Sequence, residues 1–409
     1  MQNVIEREST RVEGMAGFLD RHSGRVAVAT AFLAHSLIAG SWASRIPAIK
    51  HSLDLSDGQL GVALFGMAAG TLVGGRAGGV VAGRFGARTV VRAGIPVFAA
   101  TLVVAALAGD LAALTATMVV FGVLAAMVDV AMNAEAVVVE RAAARPLMSG
   151  FHGMWSLGLL CGALVGVLAA AAGARPALQF AIVAAVVAAG SAPLLARLPR
   201  RAARTRAAGA APDAWSLPLV ILGLIAFGSF LSEGAAADWS AVYIRDEAGA
   251  TSAVAAAGFA GFSLGMVAAR FAGDRAGAAV GPVRLVGVSA TVALGGLGLA
   301  LLIPGAATGI IGFTLLGLGL GPVIPTVVSA AGNAGLGTLE GVVSRLFTIG
   351  YFGGVSGPAI IGFASSQVGL RAALLIPLCL VAGIVLASGR LSTGAGEPRS
   401  VEAGRAGVS

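Results

Sequence analysis

Charge is what this 409-residue sequence has least of: 11% of its residues are charged, against about 25% in a water-soluble domain. That scarcity excludes a globular protein that must cover its surface with polar groups. Lysine is nearly absent, Lys50 being the only one among 27 basic residues. A phosphate-binding loop of the form GxxxxGK[ST] needs that lysine. Here Lys50 follows Ala48 and Ile49 and precedes His51, so an ATP-driven pump is excluded. The two cysteines, Cys161 and Cys379, lie in apolar runs, where a thiol behaves as a small hydrophobe and no disulfide framework or CxxC pair arises. The four histidines form no HExxH pair, and neither a metal centre nor a cofactor is expected. The first 24 residues lack an apolar core and carry Glu6, Glu8, Glu13 and Asp20. They are therefore not a cleavable signal peptide and read as a cytoplasmic tail.

What the sequence has in abundance is apolar length. Hydrophobic residues make up 57% of the chain, in runs near the 20 or so residues that cross a hydrocarbon core. Charges and Gly/Pro clusters as breaks predict helices over 26–44, 60–81, 89–108, 114–138, 150–172 and 177–196, then 217–238, 252–272, 284–303, 308–331, 342–364 and 370–389. The expected fold is an all-α membrane protein of twelve transmembrane helices in two six-helix bundles. Its parts are a tail (1–24), an N-terminal bundle (25–196), a basic linker (197–216), a C-terminal bundle (217–389) and a second tail (390–409).

The net charge of +8 does not point to nucleic acid, because the arginines sit in short loops between apolar runs. With the amino terminus inside, the inner loops collect most of them, including Arg84, Arg88, Arg92, Arg197, Arg200, Arg201, Arg204 and Arg206, while the outer loops hold about five basic residues. The positive-inside rule then places both termini in the cytoplasm, with the linker along the inner surface of a bacterial cytoplasmic membrane and lipid as the chief partner.

The halves repeat one another. Gly70, Gly74, Arg84 and Gly86 match Gly261, Gly265, Arg275 and Gly277 at a constant offset of 191, the trace of a two-bundle transporter. The loop GVVAGRFGAR, Gly79 to Arg88, resembles the inner-loop signature of the major facilitator superfamily. Gly83 stands at its acidic position, whereas the second copy, AGDRAG, keeps the acid as Asp274 before Arg275. The resemblance makes Gly79, Arg84, Gly86, Arg88, Asp274 and Arg275 expected gating residues. DVAMN, with Asp129 and Asn133, resembles the fucose:proton symporter branch, as does WSLG, which keeps Ser156 and Gly158 but has Trp155 for that branch's Asn. The branch's acid in helix one has no counterpart, so its sugar specificity does not carry over. A twelve-helix carrier worked by alternating access is what the resemblance implies, and in that fold helices two, five, eight and eleven form the seam between bundles. Glycines spaced by four mark all four helices: Gly66, Gly70, Gly74 and Gly78; Gly158, Gly162 and Gly166; Gly261 and Gly265; Gly353 and Gly357. They are expected to line that seam.

The polar residues inside apolar runs are the candidate site. Asp129 lies eleven residues before the Glu140–Arg141 boundary, about 16 Å deep at 1.5 Å per residue. A carboxylate there costs on the order of 2.5–3.5 kcal/mol, which argues against an incidental acid. Asn133 follows one turn later on the same face, and a structural hydrogen bond is the plain alternative for the pair. Asp129, Glu233 and His35 are the expected proton carriers. His35, Trp42, Asp129, Asn133, His152, Trp155 and Glu233 are the expected solute contacts. Plain packing competes as a reading for His35, Trp42, His152 and Trp155, and Glu233 has Arg45 as an alternative partner. Asp238 and Trp239 mark the rim of helix seven, Glu135 is expected to pair with Arg84 or Arg145, and Pro322 and Pro325 break helix ten, beside a cavity or as a plain kink. With 6% aromatics, a small polar solute, sugar-like in one version, is preferred over an amphiphilic drug, moved by the proton gradient through a monomeric carrier that is not an enzyme. Drug efflux and a non-transporting receptor are the alternatives.

Overall fold

The computed structural model describes residues 2–199, 215–250 and 252–394; most of the expected linker and second tail lies outside them. Among the described residues the chain is helical, with α1 (Gln2–Ser52), α2 (Asp57–Phe85), α3 (Ala87–Ala106), α4 (Leu111–Ala143), α5 (Met148–Ala171), α6 (Pro176–Leu195) and α7 (Leu217–Ala248). A continuous helical run, Ala257–Leu302 within 252–302, then spans 46 residues, about 69 Å, more than twice a hydrocarbon core. Gly281, at φ 78°, breaks it, and Pro282 follows. Glycine takes this backbone without the penalty of a side chain, and proline suits a helix start. The run is therefore two spans, α8 (252–280) and α9 (282–302). With α10 (Ala306–Asn333), α11 (Leu339–Val368) and α12 (Leu370–Leu391), the described residues hold twelve apolar helices.

Several helices run past the expected ends. α4 continues through Glu140 and Arg141, and α8 passes Asp274 and Arg275, because a charge at the membrane edge need not end a helix whose backbone bonds are internally satisfied. α1 likewise covers the segment expected as a separate tail. The first-half turn is made by Gly86, at φ 85°, which the offset of 191 matches to Gly277. The second-half turn falls instead on Gly281, one helical turn later. α10 is interrupted at Gly321 and Pro322, where the carbonyl of Pro322 accepts a hydrogen bond from Thr326 Oγ1 at 2.7 Å.

Large apolar side chains face outward, among them Phe65, Leu160, Leu168 and Leu386, the last 86% exposed. Over so much of the surface this suits lipid rather than water.

The spaced glycines do not line the seam between bundles. A side chain at Gly70 or Gly74 would strike the α4 backbone at Val119 or Val123. One at Gly162 would meet Leu37 and Ser41 of α1. Gly265 faces Thr314 and Leu318 of α10, and Gly353 faces Phe227 of α7. The stripes thus hold α2 on α4, α5 on α1, α8 on α10 and α11 on α7, the same two pairings in each half. The seam, where α2 meets α11 and α5 meets α8, uses other glycines. Gly75 and Gly79 lie against Tyr351 and Ser344, Gly153 against Phe271, and Gly273 against Ser149. A spacing of four marks close approach, but the faces of one helix differ by only a residue or two in register, and spacing does not say which neighbour each face meets.

Candidate functional site

Six helices bring the central polar groups together. On α4, Asn133 Nδ2 donates to the backbone carbonyl of Asp129 at 2.9 Å and to its Oδ1 at 3.1 Å. That leaves the amide oxygen to accept from His152 Nε2 of α5 at 3.3 Å. Tyr351 of α11 donates its hydroxyl to Asp129 Oδ2. Asp129 thereby receives donors from its own helix and from the opposite bundle. On α1, His35 Nε2–H donates to the Ala125 carbonyl at 3.0 Å, and Trp155 Nε1–H donates to His35 Nδ1 at 3.3 Å. These bonds use both nitrogens of the neutral imidazole and define its tautomer.

The same indole carries the guanidinium of Arg270 over its ring, 5.9 Å from the centroid. Arg270, on α8, donates from Nη1 to Ser156 Oγ at 2.7 Å and faces Glu233 Oε2 of α7 through Nη2 at 3.4 Å. Ser229 Oγ donates to the other oxygen of Glu233 at 3.0 Å. Two polar links therefore cross between bundles at mid-depth, Asp129 to Tyr351 and Ser156 to Arg270.

Six of the seven expected solute contacts, His35, Asp129, Asn133, His152, Trp155 and Glu233, belong to this network. Trp42 does not: it is buried against Phe121 and Phe180, with centroids 6.0 and 6.5 Å away. Two turns along α1 the neighbours are α4 and α6 side chains instead of the site. Glu233 does not pair with Arg45, which donates to the Ala174 carbonyl. Glu135 is 1% exposed, whereas Arg84 and Arg145 are exposed. Trp239 packs toward Gly362, and Asp238 is exposed at the rim.

Arg270 and Tyr351 are in this network although neither is among the expected site residues. Arg270 falls at the end of the expected helix over 252–272, but it lies eleven residues before Gly281, the same count that separates Asp129 from Glu140. Measuring depth from the Gly-Pro break would have put it inside the span. Tyr351 had a weaker signal, a hydroxyl in the middle of an apolar run. Arg345, 1% exposed on α11, is a buried charge whose Nε donates to the Gly341 carbonyl at 2.9 Å.

A second cluster joins the bundles at the arginine-rich end. Glu140 Oε2 accepts from the backbone N–H groups of Leu147 and Met148 at 2.8 and 2.9 Å. Asp274 accepts from Ser149 N and Gly150 N, both at 2.8 Å. Glu140 also receives Ser329 Oγ, and Arg141 donates to Asn333 and the Gly332 carbonyl. These groups border a cavity of about 400 Å³ that Arg145, Pro325 and Thr326 also line. Of the other expected gating residues, Gly79 faces Ser344, Gly86 makes the turn, Arg88 donates to the Ala196 carbonyl at 2.9 Å, Arg84 sits over Phe85, and Arg275 is exposed.

The pentapeptide GFSLG, 261–265, matches the GxSxG pattern of serine hydrolases. It lies inside α8, without the strand-to-helix turn that exposes such a nucleophile. Among the described residues no group of three or more His, Cys, Asp or Glu side chains is placed to hold a metal ion.

The family profile of the Major Facilitator Superfamily matches residues 27–335. The chain belongs to that superfamily. It is 31% identical over 364 residues to the membrane protein MosC of Rhizobium meliloti, covering 88% of each chain. It is 33% identical over 360 residues to an uncharacterized MFS-type transporter of Yersinia pestis, covering 86% of this chain and 91% of the relative. Among solved structures, FucP, the fucose:proton symporter of E. coli, in its outward conformation superposes with a TM-score of 0.76 at 17% identity, covering 89% and 97% of the two chains. The proton:xylose symporter XylE gives 0.68 at 14% identity, covering 90% and 94%. At such identities the likeness is one of fold. The protein is a multi-pass membrane transporter of the major facilitator fold, as its inner-loop motifs and helix count imply.

Proposed function

We propose that this transporter carries a small polar solute by alternating access, coupled to protons, in the cytoplasmic membrane of a bacterium with both termini inside. The observation that carries the reading is Asp129: a mid-membrane carboxylate tied to the opposite bundle through Tyr351. An ionised Asp129 accepts that bond strongly, and a protonated one accepts it weakly. Its charge state thus bears on how firmly the bundles are joined, which is what coupling a proton to rocking requires. Asn133, His152 and Trp155 supply the amide, imidazole and indole groups suited to a polar cargo. No cofactor is invoked, and the proton gradient is the energy source.

The test uses proteoliposomes and a solute found by thermal-stabilisation screening of sugars, acids and cationic drugs. Asp129→Asn is expected to abolish accumulation against a gradient while preserving exchange between equal pools, because exchange needs rocking without net deprotonation. Accumulation by Asp129→Asn with unaltered pH dependence refutes the assignment. Labelling of cysteines placed at Asp57 and Arg204 checks the topology: the first is expected outside and the second inside. Arg204 lies outside the described residues.

A further inference from the structure

Arg270 is held unlike an arginine in a finished structural ion pair. Its side chain is 6% exposed, and guanidinium keeps its charge under any accessible condition. Yet among the described residues its Nε–H has no hydrogen-bond partner, and Nη2 meets Glu233 at 3.4 Å, long beside the 2.7–2.9 Å or so of a charge-assisted bond. Only Nη1 is well bound, to Ser156 at 2.7 Å. The Glu233 side chain is 17% exposed, so the carboxylate lies on the more open side of the pair, and Ser229 holds its second oxygen. The poorly used edge of the guanidinium, Nε with Nη2, is the edge that receives both oxygens of a carboxylate in a two-bond fork.

We propose that the solute is an anion, and that its carboxylate takes the Nε–Nη2 edge of Arg270 in place of Glu233. This deepens the proposed function by naming the cargo's charge class, and it rests on that reading. Trp155 forms the floor: its indole N–H is anchored on His35, which fixes the ring under the guanidinium. Ser156 holds the far side of Arg270, leaving one edge for the incoming group. The displaced Glu233 takes up a proton at Oε2, so one negative charge and one proton are added together and no bond other than O–H is made. The other titratable groups of the network are His152 on α5, Asp129 on α4, Tyr351 on α11 and His35 on α1. With both histidines neutral and both acids ionised, the cluster carries one net negative charge. An anion binding there without a proton would raise it to two.

The test titrates full-length protein in nanodiscs with D-glucuronate, acetate, D-glucose and D-glucosamine at pH 5.5 and 7.5, reading thermal midpoint and tryptophan fluorescence. Glucuronate, and acetate more weakly, are expected to stabilise wild type about tenfold more tightly at pH 5.5 than at pH 7.5. Glu233→Gln, which removes the competing charge, is expected to bind glucuronate about tenfold more tightly than wild type at pH 7.5, with little pH dependence. Arg270→Gln is expected to lose binding. Arg270→Lys, which keeps the charge but not the fork, serves if that variant fails to fold, and is expected to weaken it. Stabilisation by glucose equal to that by glucuronate, unaltered in Arg270→Lys, overturns the proposal and leaves a carrier of neutral polar solutes standing. A preference for glucosamine overturns it too, as does no response to either anion in both wild type and Glu233→Gln. Failure of the carrier reading itself would show instead as neither accumulation nor exchange of solute by wild type in the proteoliposome experiment.

Discussion

α5 and α11 occupy equivalent places in the two halves, and their N-termini at the arginine-rich end are capped in opposite ways. The offset of 191 carries Leu147, before α5, onto Thr338, before α11, and carries Gly83 onto Asp274. Leu147 has no side chain able to cap. The first N–H groups of α5 are taken by two carboxylates from elsewhere, Glu140 of α4 and Asp274 of the other bundle. α11 caps itself, Thr338 Oγ1 accepting from Gly341 N at 3.3 Å. Its contact with α2 is made by Ser344, which donates to the Gly75 carbonyl at 2.7 Å. A helix start that satisfies its own donors needs no acid from across the seam. The missing acid at Gly83 and the Thr at 338 are therefore two sides of one arrangement. The α5–α8 seam is closed by charge-assisted bonds, and the α2–α11 seam by close packing of small residues.

The largest effect is expected where packing within a bundle is broken. Gly162→Leu should cost about 3 kcal/mol or more, because its side chain meets the α1 backbone, and should appear as loss of folded, monodisperse protein. That outcome differs from a carrier that inserts normally but cannot move, which a seam position would have given. Next comes the charged clamp. Asp274→Asn should weaken closure by about 1–2 kcal/mol, a factor of 5–30 in population. Labelling of a cysteine introduced at Thr326, which borders the cavity, should rise in proportion. An unchanged labelling rate would remove the clamp from the account.

Thr338→Ala should cost about 1 kcal/mol, seen in the thermal midpoint. The double variant Gly83→Asp with Thr338→Ala should regain part of that loss if the acid and the cap substitute for one another. Gly83→Asp alone is expected to be the smallest change, within about 0.5 kcal/mol of wild type, because α11 has its own cap. A gain as large as the clamp's would show that the α2–α11 seam is incomplete without an acid at 83.

The repeat, the helix count and six residues of the central network were legible in the sequence, because a polar residue in a long apolar run is conspicuous and the depth of Asp129 follows from counting. Trp42 was misplaced because a helical face shows which residues align, not which neighbours they meet after two turns. Arg270 was missed because charges served as helix ends, and α8 runs on to Gly281. The glycine stripes showed that helices approach closely, but their partners depend on packing between segments far apart in sequence.

We propose that rigid bundles rock about the mid-membrane network while the α5–α8 clamp holds the arginine-rich end shut. Spin labels on Arg92→Cys in α3 and Arg284→Cys in α9, both exposed and in opposite bundles, measure that end directly once Cys161 and Cys379 are replaced by Ala. Double electron–electron resonance should give one main distance in the otherwise native protein and a second, longer population when Asp274→Asn is added. A single distance unaltered by Asp274→Asn would mean that Asp274 does not hold that end shut.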